Sequence, residues 1–154
     1  MECIFCDIVN GKSPAYKIWE DEKHLAFLSI FPNTPGVTVV IPKMHYSSYA
    51  FSLPDTVLSS LILASKKVAL ILDKNLEDVG RTGLVFEGFG IDHIHAKLFP
   101  LHGTKTLEEW HPIKSSIKKY FSTYEGYISS HDGERASEEE LKKICDELTK
   151  NKQG

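Results

Sequence analysis

A chain of 154 residues, 42% hydrophobic and 25% charged, is long enough for one core of ordinary size, and its composition excludes wholesale disorder and fibrous repeats. A formal net charge of -3 excludes a global basic field that would recruit nucleic acid, so any anion has to be bound locally. Acids at the N-terminus and an apolar run, Leu61-Ile62-Leu63-Ala64, that soon meets lysines argue against a secretory signal or a membrane span. Three cysteines, Cys3, Cys6 and Cys145, cannot pair completely, which suits a reducing, cytoplasmic home.

Cys3 to Val9 is short, apolar and closed by Asn10-Gly11, with Pro14 beyond it, and predicts one or two turns of helix. Tyr16 to Glu20 alternates at period two, Asp21-Glu22-Lys23 is a polar turn, and His24 to Ile30 resumes the apolar pattern, so a hairpin is expected. Two prolines and a glycine make 31–36 a loop. Val37 to Ile41 is a β-branched strand stopped by Pro42, with His45 just past its end.

From Pro54 to about Asn75, Val57, Leu61, Ala64, Val68 and Ile71 recur at helical spacing, while Ser60, Lys67 and Lys74 draw a polar line. This is the one long helix, about 30 Å by the helical rise. Thr82 to Glu87 reads as a fourth strand and His93 to Phe99, ending at Pro100, as a fifth, with Gly88-Phe89-Gly90 as a tight antiparallel bend between them. Beyond it, Trp110, Tyr120, Phe121, Tyr124 and Tyr127 crowd a polar region in which 127–130 is a candidate short strand. Ser137 to Glu140 is a capping box that opens a last helix through Leu141, Ile144, Cys145 and Leu148, where Cys145 is expected to be buried. The expected fold is α+β: an antiparallel sheet of about five strands with one long helix and a C-terminal helix, in a single domain with its core at about 3–102 and an extension at 103–154.

Chemistry concentrates in the fifth strand. Alternation sends His93, His95 and Lys97 to one face and Ile94, Ala96 and Leu98 to the other. Two imidazoles and an ammonium in a row can bind and attack phosphate, hold a metal, or simply form a wetted strand face. Gly88 and Gly90 let the backbone approach a ligand and aim N–H groups at an anion, or else serve a bend that needs positive φ. Cys3-x-x-Cys6 supplies half of a tetrahedral zinc site, which His45 and His93 at strand ends would complete; the alternatives are buried thiols or a redox pair.

Taken together, His93-x-His95-x-Lys97, the C-x-x-C, Phe27-x-x-Ile30 and Val40-Ile41-Pro42-Lys43-x-His45 resemble the histidine-triad (HIT) superfamily of nucleotide hydrolases and transferases, over roughly residues 3 to 102. The resemblance implies a homodimer with a nucleotide bound over the sheet, His95 attacking its α-phosphorus, and Phe27 and Ile30 against the base. It also implies structural zinc on Cys3, Cys6, His45 and His93. Lys97 stands where the third histidine belongs, Ser29 where a ribose-binding aspartate does, Val37 at a common active-site histidine, and Gly88-Phe89-Gly90 in place of the phosphate loop.

The enzyme expected is a HIT-type nucleotide hydrolase or nucleotidyl transferase working through a nucleotidyl-histidine intermediate. His95 and Lys97 would be catalytic, Phe27, Ser29, Ile30, Gly88 and Gly90 nucleotide-binding, with no organic or redox cofactor and no nucleic-acid or membrane partner. The alternative is a catalytically weak or inactive module that binds a nucleotide or another phosphorylated metabolite. A zinc-stapled interaction domain is a third, which leaves His95 and Lys97 idle.

Overall fold

The computed structural model describes residues 2–106, 112, 115–126, 128–129 and 131–150. A short helix, α1 (Ile4–Val9), precedes strands β1 (Lys17–Glu20), β2 (His24–Leu28) and β3 (Thr38–Pro42), the long helix α2 (Asp55–Asn75), strands β4 (Val79–Val85) and β5 (Ala96–His102), and the C-terminal helix α3 (Glu138–Thr149). The strands form a five-stranded sheet in the order β1-β2-β3-β5-β4, with every neighbouring pair antiparallel.

Both faces of the central strands are buried, which is why β2 and β3 are mostly apolar and why their polar members, His24 and Thr38, each have a hydrogen-bond partner. Alternation divides them. Ala26, Leu28 and Val40 join Ile94, Ala96 and Leu98 beneath Leu61, Ala64, Val68 and Leu72 of α2, and Leu141 and Leu148 of α3 close the same core. Leu25, Phe27, Val39 and Ile41 face the other way, against Cys3, Phe5 and Ile8. Among the described residues α1 is the one helix on that side, and a cavity opens beside it.

Four expectations are corrected. The fifth strand begins at Ala96 rather than His93 and runs through Pro100 to His102. A proline is tolerated there because the ladder to β3 ends at the Thr38–Leu98 pair, so Pro100 pairs only with Thr82 of β4. The fourth strand is shifted towards the N-terminus, and the bend at Gly88-Phe89-Gly90 is part of a longer loop spanning 86–95. Cys145 is half-buried, its thiol donating to the Lys17 carbonyl at 3.3 Å.

The candidate strand at 127–130 falls partly on Tyr127 and Ser130, outside the described residues, as does Trp110; Ile128 and Ser129 form a turn, with Ser129 at φ 60°. The capping box forms as read, Ser137 Oγ accepting the Glu140 N–H at 3.2 Å.

Candidate functional site

Although β5 starts late, its face pattern extends back into the loop. Ile94, Ala96 and Leu98 enter the α2 core, while His93 and His95 lie edge-on to Phe5 of α1, at ring-centroid distances of 5.8 and 5.3 Å. Lys97 sits on the same face beside Val39, its partner on β3.

His93 belongs to a cluster of Cys3, Cys6, His45 and His93 whose ligand atoms all lie within 4.8 Å of one another. His93 Nδ1 is 3.5 Å from Cys3 Sγ and 3.6 Å from Cys6 Sγ, and His45 Nδ1 is 3.5 Å from Cys6 Sγ. Ordinary zinc–sulfur and zinc–nitrogen bond lengths put the sulfur–nitrogen edges of a tetrahedron at about 3.5 Å, which these three distances match. Their surroundings fit as well. His93 Nε2–H donates to the buried Pro42 carbonyl at 2.9 Å, which turns the Nδ1 lone pair towards the sulfurs. Burial holds the His93 imidazole below its ordinary value, in the neutral form a metal needs. Cys6 is pushed up by burial and by Cys3 beside it, a clustering of sulfurs that a cation between them would relieve.

His95 points elsewhere. Its Nδ1–H donates to the His93 carbonyl at 2.7 Å, so the Nε2 lone pair is the ring's nucleophilic position. Burial pushes its pKa below the ordinary imidazole value, the ammonium of Lys97 adds to the shift, and the His93 carbonyl and Glu87 oppose it; the net direction leaves a neutral ring near pH 7. His95 and Lys97 line a cavity of about 620 Å³ between α1, β2 and the 86–95 loop, a size typical of small-molecule sites.

Phe27, Ser29, Ile30 and Gly90 line the same cavity. Phe27 is set edge-on against Phe5 at 5.4 Å, and Ser29 Oγ accepts the Phe31 N–H at 3.2 Å. Gly88 is not among the lining residues. Its carbonyl accepts Ser48 Oγ–H at 3.0 Å, and its positive φ of 81° serves the loop's attachment to the segment after β3. Asp92 reinforces that attachment by accepting Ser47 Oγ–H at 3.0 Å and Ser48 N–H at 2.9 Å, so the stretch bearing His45 and the loop bearing His93 are bound together.

Sequence reasoning missed Phe5 and Ile8 as cavity walls, and also Asp132. The apolar face of α1 held the signal for the first two. No local signal marks Asp132, which reaches the cavity from the C-terminal extension.

A family model described as HIT domain matches residues 10–150. The chain belongs to the HIT-domain family. Among HIT relatives it is 40% identical over 102 residues to an uncharacterized HIT-like protein of Methanocaldococcus jannaschii, spanning 64% of this chain and 78% of that one. It is 33% identical over 106 residues to an adenosine 5'-monophosphoramidase of Candida albicans, over 64% of this chain and 69% of that one. Among solved HIT structures, a hypothetical histidine triad nucleotide-binding protein from Sulfolobus tokodaii superposes with a TM-score of 0.67 at 27% identity, covering 97% of this chain and 93% of that one.

Proposed function

We propose that this HIT protein is a nucleotide hydrolase or nucleotidyl transferase that attacks the α-phosphorus of a nucleoside phosphate derivative with His95. The observation that carries the proposal is the bond from His95 Nδ1–H to the His93 carbonyl, 2.7 Å long, which makes Nε2 the lone-pair nitrogen of the neutral ring in a cavity it shares with a lysine. The names of the Candida monophosphoramidase and the Sulfolobus nucleotide-binding protein support the same substrate class.

In the first step, an Nε2–phosphorus bond forms as the bond to the leaving group breaks, giving a phosphorylated imidazolium that keeps its Nδ1–H, and the leaving group takes up a proton from water. Lys97, at the position of the third triad histidine, stabilises charge on the phosphoryl oxygens. Phe27 and Ile30 hold the base, with Ser29 and Gly90 at the sugar and phosphate; Gly88 acts through the loop rather than by contact. Water, or an acceptor alcohol, then attacks phosphorus, giving up its proton and returning neutral His95. Removing Lys97 by Lys97→Ala should lower kcat/KM about 10²-fold.

Cys3, Cys6, His45 and His93 would hold zinc as a structural ion. Its chemistry when bound is to neutralise two thiolates and fix α1, the segment after β3 and the loop before β5 to one another. Residues 1–154 then form one domain, in a cytoplasm that keeps the three free cysteines reduced.

We also propose a homodimer. The edge position of β4 in the sheet and exposed Ile62, Leu63 and Leu70 on α2 support it, and light scattering at micromolar concentration that returned a monomer would reject it.

A second reading, a module that binds nucleotide without turning it over, is favoured by the ion pair of Lys97 with Asp132 at 3.8 Å, which engages the lysine on its own chain. Denaturing mass spectrometry after exposure to adenosine phosphoramidate and related nucleotides separates the two. The enzyme reading expects a nucleotidyl adduct or product in the parent and neither in His95→Ala. Binding without adduct or product leaves the module.

A further inference from the structure

One wall of the cavity comes from the far end of the chain. Beyond β5 the backbone returns to the loop between β2 and β3, where the Ser129 carbonyl accepts Asn33 Nδ2–H at 3.0 Å. Gly133 N–H then donates to the Phe31 carbonyl at 3.2 Å and Ala136 N–H to that of Ile30 at 3.0 Å. On the opposite lip, Tyr124 stacks on Phe89 of the 86–95 loop, with centroids 5.8 Å apart and planes at 24°. The same extension thus grips both lips of the cavity, and in doing so sets Asp132 on the rim with Oδ1 3.8 Å from Lys97 Nζ.

The charge this produces is unexpected for a site that receives a phosphate. Among the described lining residues the charged side chains are Glu87, Lys97 and Asp132, two carboxylates against one ammonium. A phosphate at His95 has one lysine to meet it, and any substituent that the phosphate carries towards Lys97 also meets Asp132. A further phosphate there brings like charges together. An ammonium there offers Asp132 a second cationic partner and brings unlike charges together.

We infer that Asp132 is a specificity-determining residue, selecting nucleotide derivatives whose phosphate bears an ammonium-carrying substituent and disfavouring those that bear more phosphate. The inference rests on the cavity being the nucleotide site. The two are tested apart, because selectivity is read here from binding alone and the proposed function from adduct and product.

The probes are adenosine 5'-(2-aminoethyl) phosphate and adenosine diphosphate, with adenosine monophosphate as reference, titrated calorimetrically into the parent, Asp132→Asn and Asp132→Lys. Asp132 is 67% exposed and its neighbours are anchored through their backbone, so both variants keep the fold. The parent should prefer the aminoethyl ester to the diphosphate by about tenfold, as expected for one charge pair in a partly solvated site. Asp132→Asn should lose most of that preference and Asp132→Lys should reverse it, with affinity for the monophosphate rising less than that for the diphosphate in both. An unchanged ratio in Asp132→Asn, or a parent that prefers the diphosphate, overturns the inference while leaving His95 chemistry standing. A parent that binds none of the three overturns both.

Discussion

His24 shows how a side chain with the partners of a catalytic residue can be structural. It is buried, with Nδ1 3.1 Å from Asp21 Oδ1 and Nε2 3.2 Å from Ser60 Oγ. The carboxylate can only accept, so Nδ1–H donates to it, and the serine hydroxyl is the partner of Nε2. Lys67 lies over the Trp19 ring at 5.8 Å, so Ser60 and Lys67, read from sequence as part of a polar line, tie α2 to the first hairpin. Ser60→Ala leaves a buried ring nitrogen without its partner and should cost about 1–3 kcal/mol. Urea denaturation checks this, and nucleotide turnover should be unaffected, because none of the three residues lines the cavity.

Among the elements, the join between β4 and β5 carries a pH dependence. His102 has two acceptors, Asp78 at Nδ1 (2.9 Å) and the Pro35 carbonyl at Nε2 (2.7 Å), and only the doubly protonated ring donates to both. Burial pulls its pKa down, but the Pro35 carbonyl and the Asp78 carboxylate outweigh that and raise it above the ordinary 6.5. Asp78 is lowered from 3.8, chiefly by the hydrogen bond from His102. The raised imidazole contributes stability in full below 6.5 and loses it as pH rises through the folded value. The lowered carboxylate contributes in full above 3.8 and loses it as pH falls through its own. The destabilisation caused by Asp78→Asn should therefore be greatest between those two values and shrink on either side, in denaturation curves collected across pH.

The extension has its own weak point at Gly133, where an added Cβ would run into the Pro32 carbonyl oxygen. Gly133→Val should release the 128–136 stretch from the β2–β3 loop, speeding limited proteolysis there while the melting of the sheet shifts little.

At the scale of the whole molecule, the four residues that could hold a metal come from three separate stretches, the N-terminus with α1, the segment after β3 and the loop before β5. Through His93 they also fix the carbonyl that orients His95. Stripping metal with a chelator should lower the melting temperature, and Cys6→Ser should purify without zinc and with reduced nucleotide turnover even though Cys6 is not a cavity residue. A protein of unchanged stability without metal would show that the cluster is only a set of packed thiols and imidazoles.

Much of this architecture is local and was legible in the chain. Period-two runs fix which residues of β2, β3 and the His93–Leu98 stretch share a face, helical spacing fixes α2, and Ser137 with Glu140 fixes the start of α3, because each depends on side chains within a few residues of one another. The clustering of Cys3, Cys6, His45 and His93 was legible too, from the C-x-x-C and from histidines at strand ends. Only the tertiary structure decided where β5 begins, because that depends on where its ladder to β3 stops rather than on its own pattern. It also decided that Gly90 lines the cavity and Gly88 does not, and that Asp132 stands beside Lys97. Those placements come from backbone bonds between segments far apart in the chain, such as Gly133 to Phe31, and no spacing rule along the sequence encodes them.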